Sequence, residues 1–203
     1  MIVEAVVLNP GPDDRRYAVQ VLGSAESWTS LEPPSVTVPA GGRALVALHL
    51  HPPRAPHVRS GATPVGLLVS APEPGEHATT EGVLEIARFR GLDVRLFPSV
   101  RHGRSGTFEL LLRNDGNEVV RATVAGRGDA EDLTVSCSPE TLAVFPGGEA
   151  VSQIRVRSPR QLWREVGGAR SFRVVVHPTV DDPIGVRGAL ITRSATTDSR
   201  DPG

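Results

Sequence analysis

His49, His51 and His57 are the side chains in this sequence that come nearest to metal-ligand spacing. A zinc ion takes three or four protein ligands, supported by carboxylates around them. His49 and His51 lie two apart on one face of an extended segment and His57 follows in a loop, but no Asp or Glu lies between them. They read as exposed polar residues, so no metal site and no cofactor are expected. Hydrolysis would need a nucleophile beside a base that an acid orients. Ser, His and Asp all occur, yet no GxSxG elbow is present, and no residue is assigned a catalytic role. Asp13-Asp14 and Asp181-Asp182 stand in "PDDR" and "VDDPIG", where Asp commonly turns the chain. Calcium would ask for more clustered oxygens than these pairs supply. Arg127-Gly128-Asp129 spells a receptor-binding tripeptide in what reads as a Gly-rich loop, and it is taken as a chance match. Trp163 is different, because it sits in the polar stretch "SPRQLWREVGGAR" beside Arg160 and Arg164. Trp and Arg are enriched at interface hot spots, so Trp163, Arg160 and Arg164 are candidate partner-binding residues. The competing reading has Leu162 and Trp163 folding back to cap a core.

Composition narrows the classes further. Formal net charge is -1, and the 22 basic residues, all Arg, are interspersed with 23 acidic ones. That distribution offers no basic footprint for nucleic acid or an anionic membrane. Cys137 is the only cysteine, which excludes an internal disulfide. It shares strand phase with Leu133 and Val135 and reads as a small core residue, with a reactive thiolate as the minor alternative. The opening "MIVEAVVLNP" has no basic n-region, and its apolar run is broken by Glu4. No stretch approaches the roughly 20 apolar residues of a membrane span. These features predict a cytoplasmic protein without a membrane span.

The elements that position these residues come from a repeat. Gly41-Gly42 aligns with Gly147-Gly148, and Pro53-Arg54 with Pro159-Arg160, at a common offset of 106 residues. "EAVVLN" from Glu4 lies over "ELLLRN" from Glu109, "GATPVGLLVS" from Gly61 over "GARSFRVVVH" from Gly168, and "GVLEI" from Gly82 over "GALIT" from Gly188. A period near a hundred residues is a duplicated domain, since solenoid units repeat about every 20–50. Within each copy the apolar period is two: Val46, Leu48 and Leu50 oppose Arg43, His49 and His51, while Ser152, Ile154 and Val156 oppose Gln153, Arg155 and Arg157. Short strands are expected at 2–8, 16–22, 35–38, 43–51, 64–70 and 82–89, then 92–97, 107–113, 119–125, 132–137, 141–145, 150–157, 171–177 and 186–192. No segment carries a capped apolar stripe of helical period. Gly (21) and Pro (18) punctuate these strands as turns. The expectation is an all-β chain of two tandem immunoglobulin-like β-sandwiches, residues 1–90 and 91–193, with a disordered tail over 194–203.

"LLLRNDGNEVVRATV" and "LAVFPGGEAVSQIRVRSPRQLWREVGGARSFRVVV", with their first-copy equivalents, resemble tandem immunoglobulin-like modules of the CARDB and MSP/ASH type found in actinobacterial and cyanobacterial proteins. The resemblance covers nearly the whole chain and rests on an Asn turn after a strand, a Pro-Gly-Gly hairpin and alternation, which are folding signals. It implies a binding, spacing or assembly module and no active site.

The two copies differ at their starts. "GLDVRLFPSVRHGR" precedes "SGTFELLLRN" in the second copy, and nothing stands before the equivalent Met1 segment in the first. The first sandwich is therefore expected to lack its A strand. An exposed edge of this kind is a template for strand addition by a partner. Val3, Val6 and Leu8 are the candidate partner-binding residues there. A six- or seven-stranded domain that simply tolerates the loss, or a start placed downstream of the true one, are the plainer explanations. With only "RG" between the last strand of one copy and the first of the next, a restricted end-to-end geometry is expected. The leading expectation is a non-enzymatic spacer or docking subunit of a larger bacterial assembly, for example a contractile phage-tail-like particle. An accessory carbohydrate- or surface-binding module of an exported system would instead show an aromatic platform, and aromatics are only 4% of this chain. A hydrolase with an unrecognised site is the third expectation.

Overall fold

A computed structural model describes residues 1–72, 76–129, 133–158 and 168–192. It divides into two compact units, Met1–Phe89 and Arg90–Gly203.

The first unit contains β1 (Ile2–Leu8), β2 (Arg15–Leu22), β3 (Thr29–Glu32), β4 (Ser35–Val38), β5 (Arg43–Leu50), β6 (Gly61–Ser70) and β7 (His77–Ile86), with one 3-10 turn at Glu26–Trp28. These strands form two sheets, β1-β5-β3 and β4-β2-β6-β7. The second unit contains β8 (Leu92–Phe97), β9 (Val100–His102), β10 (Ser105–Asn114), β11 (Val120–Gly128), β12 (Thr134–Ser138), β13 (Thr141–Val144), β14 (Glu149–Arg157), β15 (Gly168–Pro178) and β16 (Ile184–Thr192). Its sheets run β12-β14-β10-β8 and β13-β11-β15-β16-β9. With β8 and β9 set aside, the second unit repeats the first strand for strand. Both are immunoglobulin-like β-sandwiches, and among the described residues the first has no counterpart of β8 and β9.

Alternation builds both cores. Val46, Leu48 and Leu50 of β5 and Ser152, Ile154 and Val156 of β14 are buried. A buried Ser among them is satisfied, because its Oγ donates to the Pro139 carbonyl at 2.8 Å. The second core is the bulkier, with Phe108 and Phe172 in edge-to-face contact at a centroid separation of 4.8 Å. At the equivalent places the first unit has Val3 and Val65.

The strand-ending asparagines prove structural. Asn114 Nδ2 donates to the carbonyls of Glu118 (2.7 Å) and Val144 (2.9 Å), and its Oδ1 accepts from Gly116 N at 3.0 Å. Asn9 repeats the pattern, donating to Asp13 O (2.8 Å) and Val38 O (3.0 Å) and accepting from Gly11 N (3.0 Å) and Tyr17 Oη (3.1 Å). Each side chain thus ties loop backbone groups to the last carbonyl of a strand in the facing sheet, Val38 of β4 or Val144 of β13. Gly41 and Gly147 turn the facing hairpins at φ of 64° and 72°, in the left-handed region that glycine adopts without strain.

Three placements differ from expectation. β3 carries too few apolar residues (Thr29, Ser30, Leu31, Glu32) to register as a strand, and β9 is three residues long, so neither shows an alternation. Arg127 and Gly128 lie within β11, paired with Arg173 and Phe172 of β15, instead of in a loop. Gly-rich backbone is accepted there because the Gly126 position is crowded: a Cβ on it would meet the Val135 side chain and, at 3.4 Å, Cys137 Sγ. No helix among the described residues is long and apolar enough to cross a membrane.

Candidate functional site: an open flank on the first unit

β1 pairs with β5 in antiparallel register from Ile2–His49 to Leu8–Arg43. Among the described residues it pairs with no other strand. The orientation of its backbone follows from the ends of the ladder. Leu50 N donates to Met1 O at 2.8 Å and Met1 N to Leu50 O at 2.9 Å, while Asn9 N donates to Gly42 O at 3.1 Å. Hydrogen-bonded pairs alternate along an antiparallel ladder, so the odd residues face β5. The N–H and C=O groups of Ile2, Glu4, Val6 and Leu8 therefore point to the open edge.

In the second unit the equivalent positions are filled. Glu109, Leu111 and Arg113 of β10 stand opposite Phe97, Arg95 and Asp93 of β8. The chain then crosses to the other sheet, where β9 runs parallel to β16 and pairs Val100 with Ala189 and His102 with Ile191. One continuous segment thus closes the flank between the two sheets.

Side chains register the difference. Val3 is 43% exposed, whereas Phe108 at the same place in the second unit is fully buried. Leu84 of β7 only partly packs on its core, whereas Leu190 at the same place in β16 is fully buried. The result is a cleft of about 400 Å³ between β1 and β7, floored by Ala5, Leu48, Leu50, Val65 and Leu67 and rimmed by Glu4 and Glu81. Gly82 shows how much room is present: a Cβ built there meets no atom within 4 Å. At Gly188, its counterpart, a Cβ would strike the Phe172 ring and come within 2.8 Å of Leu96 Cδ2, a side chain of β8. Along the outer face of β1, Ile2 (63%), Val6 (55%) and Leu8 (65%) are exposed, and Leu45 is the cross-strand neighbour of Val6.

Val3, Val6 and Leu8 accordingly lie on one strand, Val3 in the cleft, Val6 at its lip with its side chain exposed on the outer face, and Leu8 on the outer face outside the cleft. Arg160, Trp163 and Arg164 lie outside the described residues, as does the stretch 194–203. Gly82 and Leu84 were not singled out from the sequence. The overlay of "GVLEI" on "GALIT" held the signal, but it needed the contact of Leu96 with Gly188 to give it meaning.

The remaining candidates have local partners. His49 on β5 and His51, just past its end, stand parallel with ring centroids 6.5 Å apart, and Glu32 Oε2 lies 3.4 Å from His49 Nε2. Among the described residues no group of three or more His, Cys, Asp or Glu side chains converges. Asp14 accepts from Ala40 N at 3.0 Å and Asp181 pairs with Arg90 at 2.5 Å, so one carboxylate from each pair is engaged within its own unit. Cys137 packs against the second core. Burial, and then the charge of Glu140, push its thiol above the ordinary range. The thiolate is the nucleophile, so Cys137 is expected to alkylate more slowly at pH 7 than an unfolded-chain cysteine, with a rate that climbs only at higher pH. Iodoacetamide labelling of folded and urea-unfolded protein across pH 6–10 checks this, and equal rates would contradict it.

No family model matches the sequence, and no curated protein matches it. Among solved structures, the D0-D1 domain of intimin is similar over 94% of this chain and 90% of that one, at 10% identity and a TM-score of 0.34. The Pseudomonas aeruginosa CupB2 chaperone is similar over 93% of this chain and 92% of that one, at 12% identity and a TM-score of 0.34. Domains 1–6 of the surface layer protein SbsC are similar over 89% of this chain but only 20% of that one, at 14% identity and a TM-score of 0.40. At these identities and TM-scores no role passes from those proteins to this chain.

Proposed function

We propose that this protein is a non-enzymatic docking subunit whose first unit accepts a β-strand from a protein partner within a larger assembly. One observation carries the reading: the same flank of the same fold is closed by β8 and β9 in the second unit and, among the described residues, by no strand in the first. An edge with unpaired backbone groups is a ready template for another chain, and natural sheets normally blunt it with charges, Pro or bulges. β1 carries one charge, Glu4, among six apolar residues. Strand addition would satisfy its backbone and cover the apolar side chains at once. Kinship with CARDB and MSP/ASH modules belongs to the same proposal and rests on the turn and hairpin residues that the two copies share. The second, closed unit then acts as spacer.

The test uses the backbone alternation. Val6 presents its N–H to the open edge, so Val6→Pro removes a group that a partner needs while leaving every β1–β5 bond in place. The tagged chain, recovered from its native cells at moderate salt, is expected to bring down a defined set of proteins, and Val6→Pro to lose them with the melting temperature little changed. A clean monomer from the wild type would overturn the proposal.

A further inference from the structure

We infer that the partner segment is bipartite: a strand antiparallel to β1 that inserts a large apolar side chain over Gly82, followed by a crossover and a short stretch parallel to β7. This rests on the strand-accepting reading above and specifies its ligand.

The second unit supplies the template. β8 lies antiparallel on β10 with Leu92, Val94 and Leu96 turned to the core, and β9 then lies parallel on β16. Leu96 fills the space above Gly188. The two units share strand order throughout, so the place that Leu96 takes in one is the empty space above Gly82 in the other. Single-edge addition to β1 would leave Leu84 half-covered and the Val83–Ile86 edge of β7 unpaired, whereas a bipartite segment closes both. Charge adds a second constraint. The cleft has an apolar floor with Glu4 and Glu81 at its rim. The template segment, "GLDVRLFPSVRHGR", is complementary, with Arg95, Arg101 and Arg104 against the single acid Asp93. The occupant is thus an extended, alternately apolar and basic segment of about a dozen residues, of the length that strand-in-groove recognition uses.

A second copy of this chain does not meet the requirement. Donating its own β8 and β9 would open one flank for each one closed, and pairing β1 with another β1 would leave β7 and the cleft uncovered.

The experiment titrates full-length protein with a fluorescent peptide of the sequence of residues 91–104. Saturable one-to-one binding is expected, with hydrogen-exchange protection appearing in β1 and in the Val83–Ile86 end of β7. Leu96→Glu in the peptide, and Gly82→Leu in the protein, should each weaken binding by about tenfold or more, as removal of a central anchor does. Binding that survives both changes and loss of peptide residues 98–104, yet is abolished by Val6→Pro, would overturn the bipartite mode and leave simple strand addition standing. No saturable binding, or protection confined to β10 through exchange with β8, would also overturn it. In that event recovery of partners with wild type against Val6→Pro still decides the broader reading.

Discussion

Gly188→Val is expected to destabilise the second unit by about 3 kcal/mol, while Gly82→Val at the equivalent place leaves the first unit unchanged or stabilises it by roughly 0.5–1 kcal/mol. The two glycines occupy the same position in the same sheet, each across from a core residue of the neighbouring strand, Phe172 and Val65. At Gly188 the added carbon drives into Phe172, which is fully buried, and into Leu96, itself held in the core. Neither can move away without disturbing a closely packed interior, and overpacking of this kind costs about 1–3 kcal/mol or more. At Gly82 the carbon enters open space, the backbone is outside the left-handed region, and the substitution only removes conformational freedom from the unfolded chain. Scanning calorimetry with hydrogen exchange resolved by unit measures both. A neutral Gly188→Val would refute the crowding, and a destabilising Gly82→Val would mean that the cleft is not open.

Asn114→Ala should lower the stability of the second unit by roughly 3–5 kcal/mol, and Asn9→Ala should do the same to the first. The side chain of Asn114 is fully buried, and removing it takes a hydrogen bond from the carbonyls of Glu118 and Val144 and from the N–H of Gly116. A buried polar group left without a partner costs about 1–3 kcal/mol, and two buried bonds, those to Val144 and Gly116, are lost together. For a domain of this size the melting temperature should fall by about 15 °C or more. Tyr17→Phe is the graded control, since it removes only one of the bonds to Asn9 Oδ1 and should cost about 1 kcal/mol. A loss below about 1 kcal/mol at Asn114 would show that water replaces the amide, and the role given to these asparagines would fall.

The two asparagines and the Gly-Gly hairpins were visible as repeated letters, and the repetition located two copies of one domain. Local rules were enough for that much. Strand phase follows from alternation, because neighbouring side chains on a strand point to opposite faces whatever the sheet does. Val46 and Ile154 could therefore be assigned inward, and the segment ahead of β10 could be seen to have no repeat-mate within residues 1–90. Strands without a clear apolar period stayed hidden: β3 is held by its pairing with β5, and β9 by three residues on β16. Arg127 and Gly128 read as loop because Gly weakens strand propensity, and only pairing with β15 shows that the ladder overrides it.

The open flank itself divides along the same line. That β1 stands at the edge of its sheet among the described residues was legible, since it follows from counting strands in two aligned copies. That the edge adjoins a cleft reaching β7, that Val3 and Val6 line this cleft while Leu8 does not, and that Gly82 stands where Leu96 would insert, depended on how two sheets far apart in sequence are brought face to face. The cleft is lined by residues some eighty positions apart, such as Val3 and Leu84, and no local periodicity encodes such a distance.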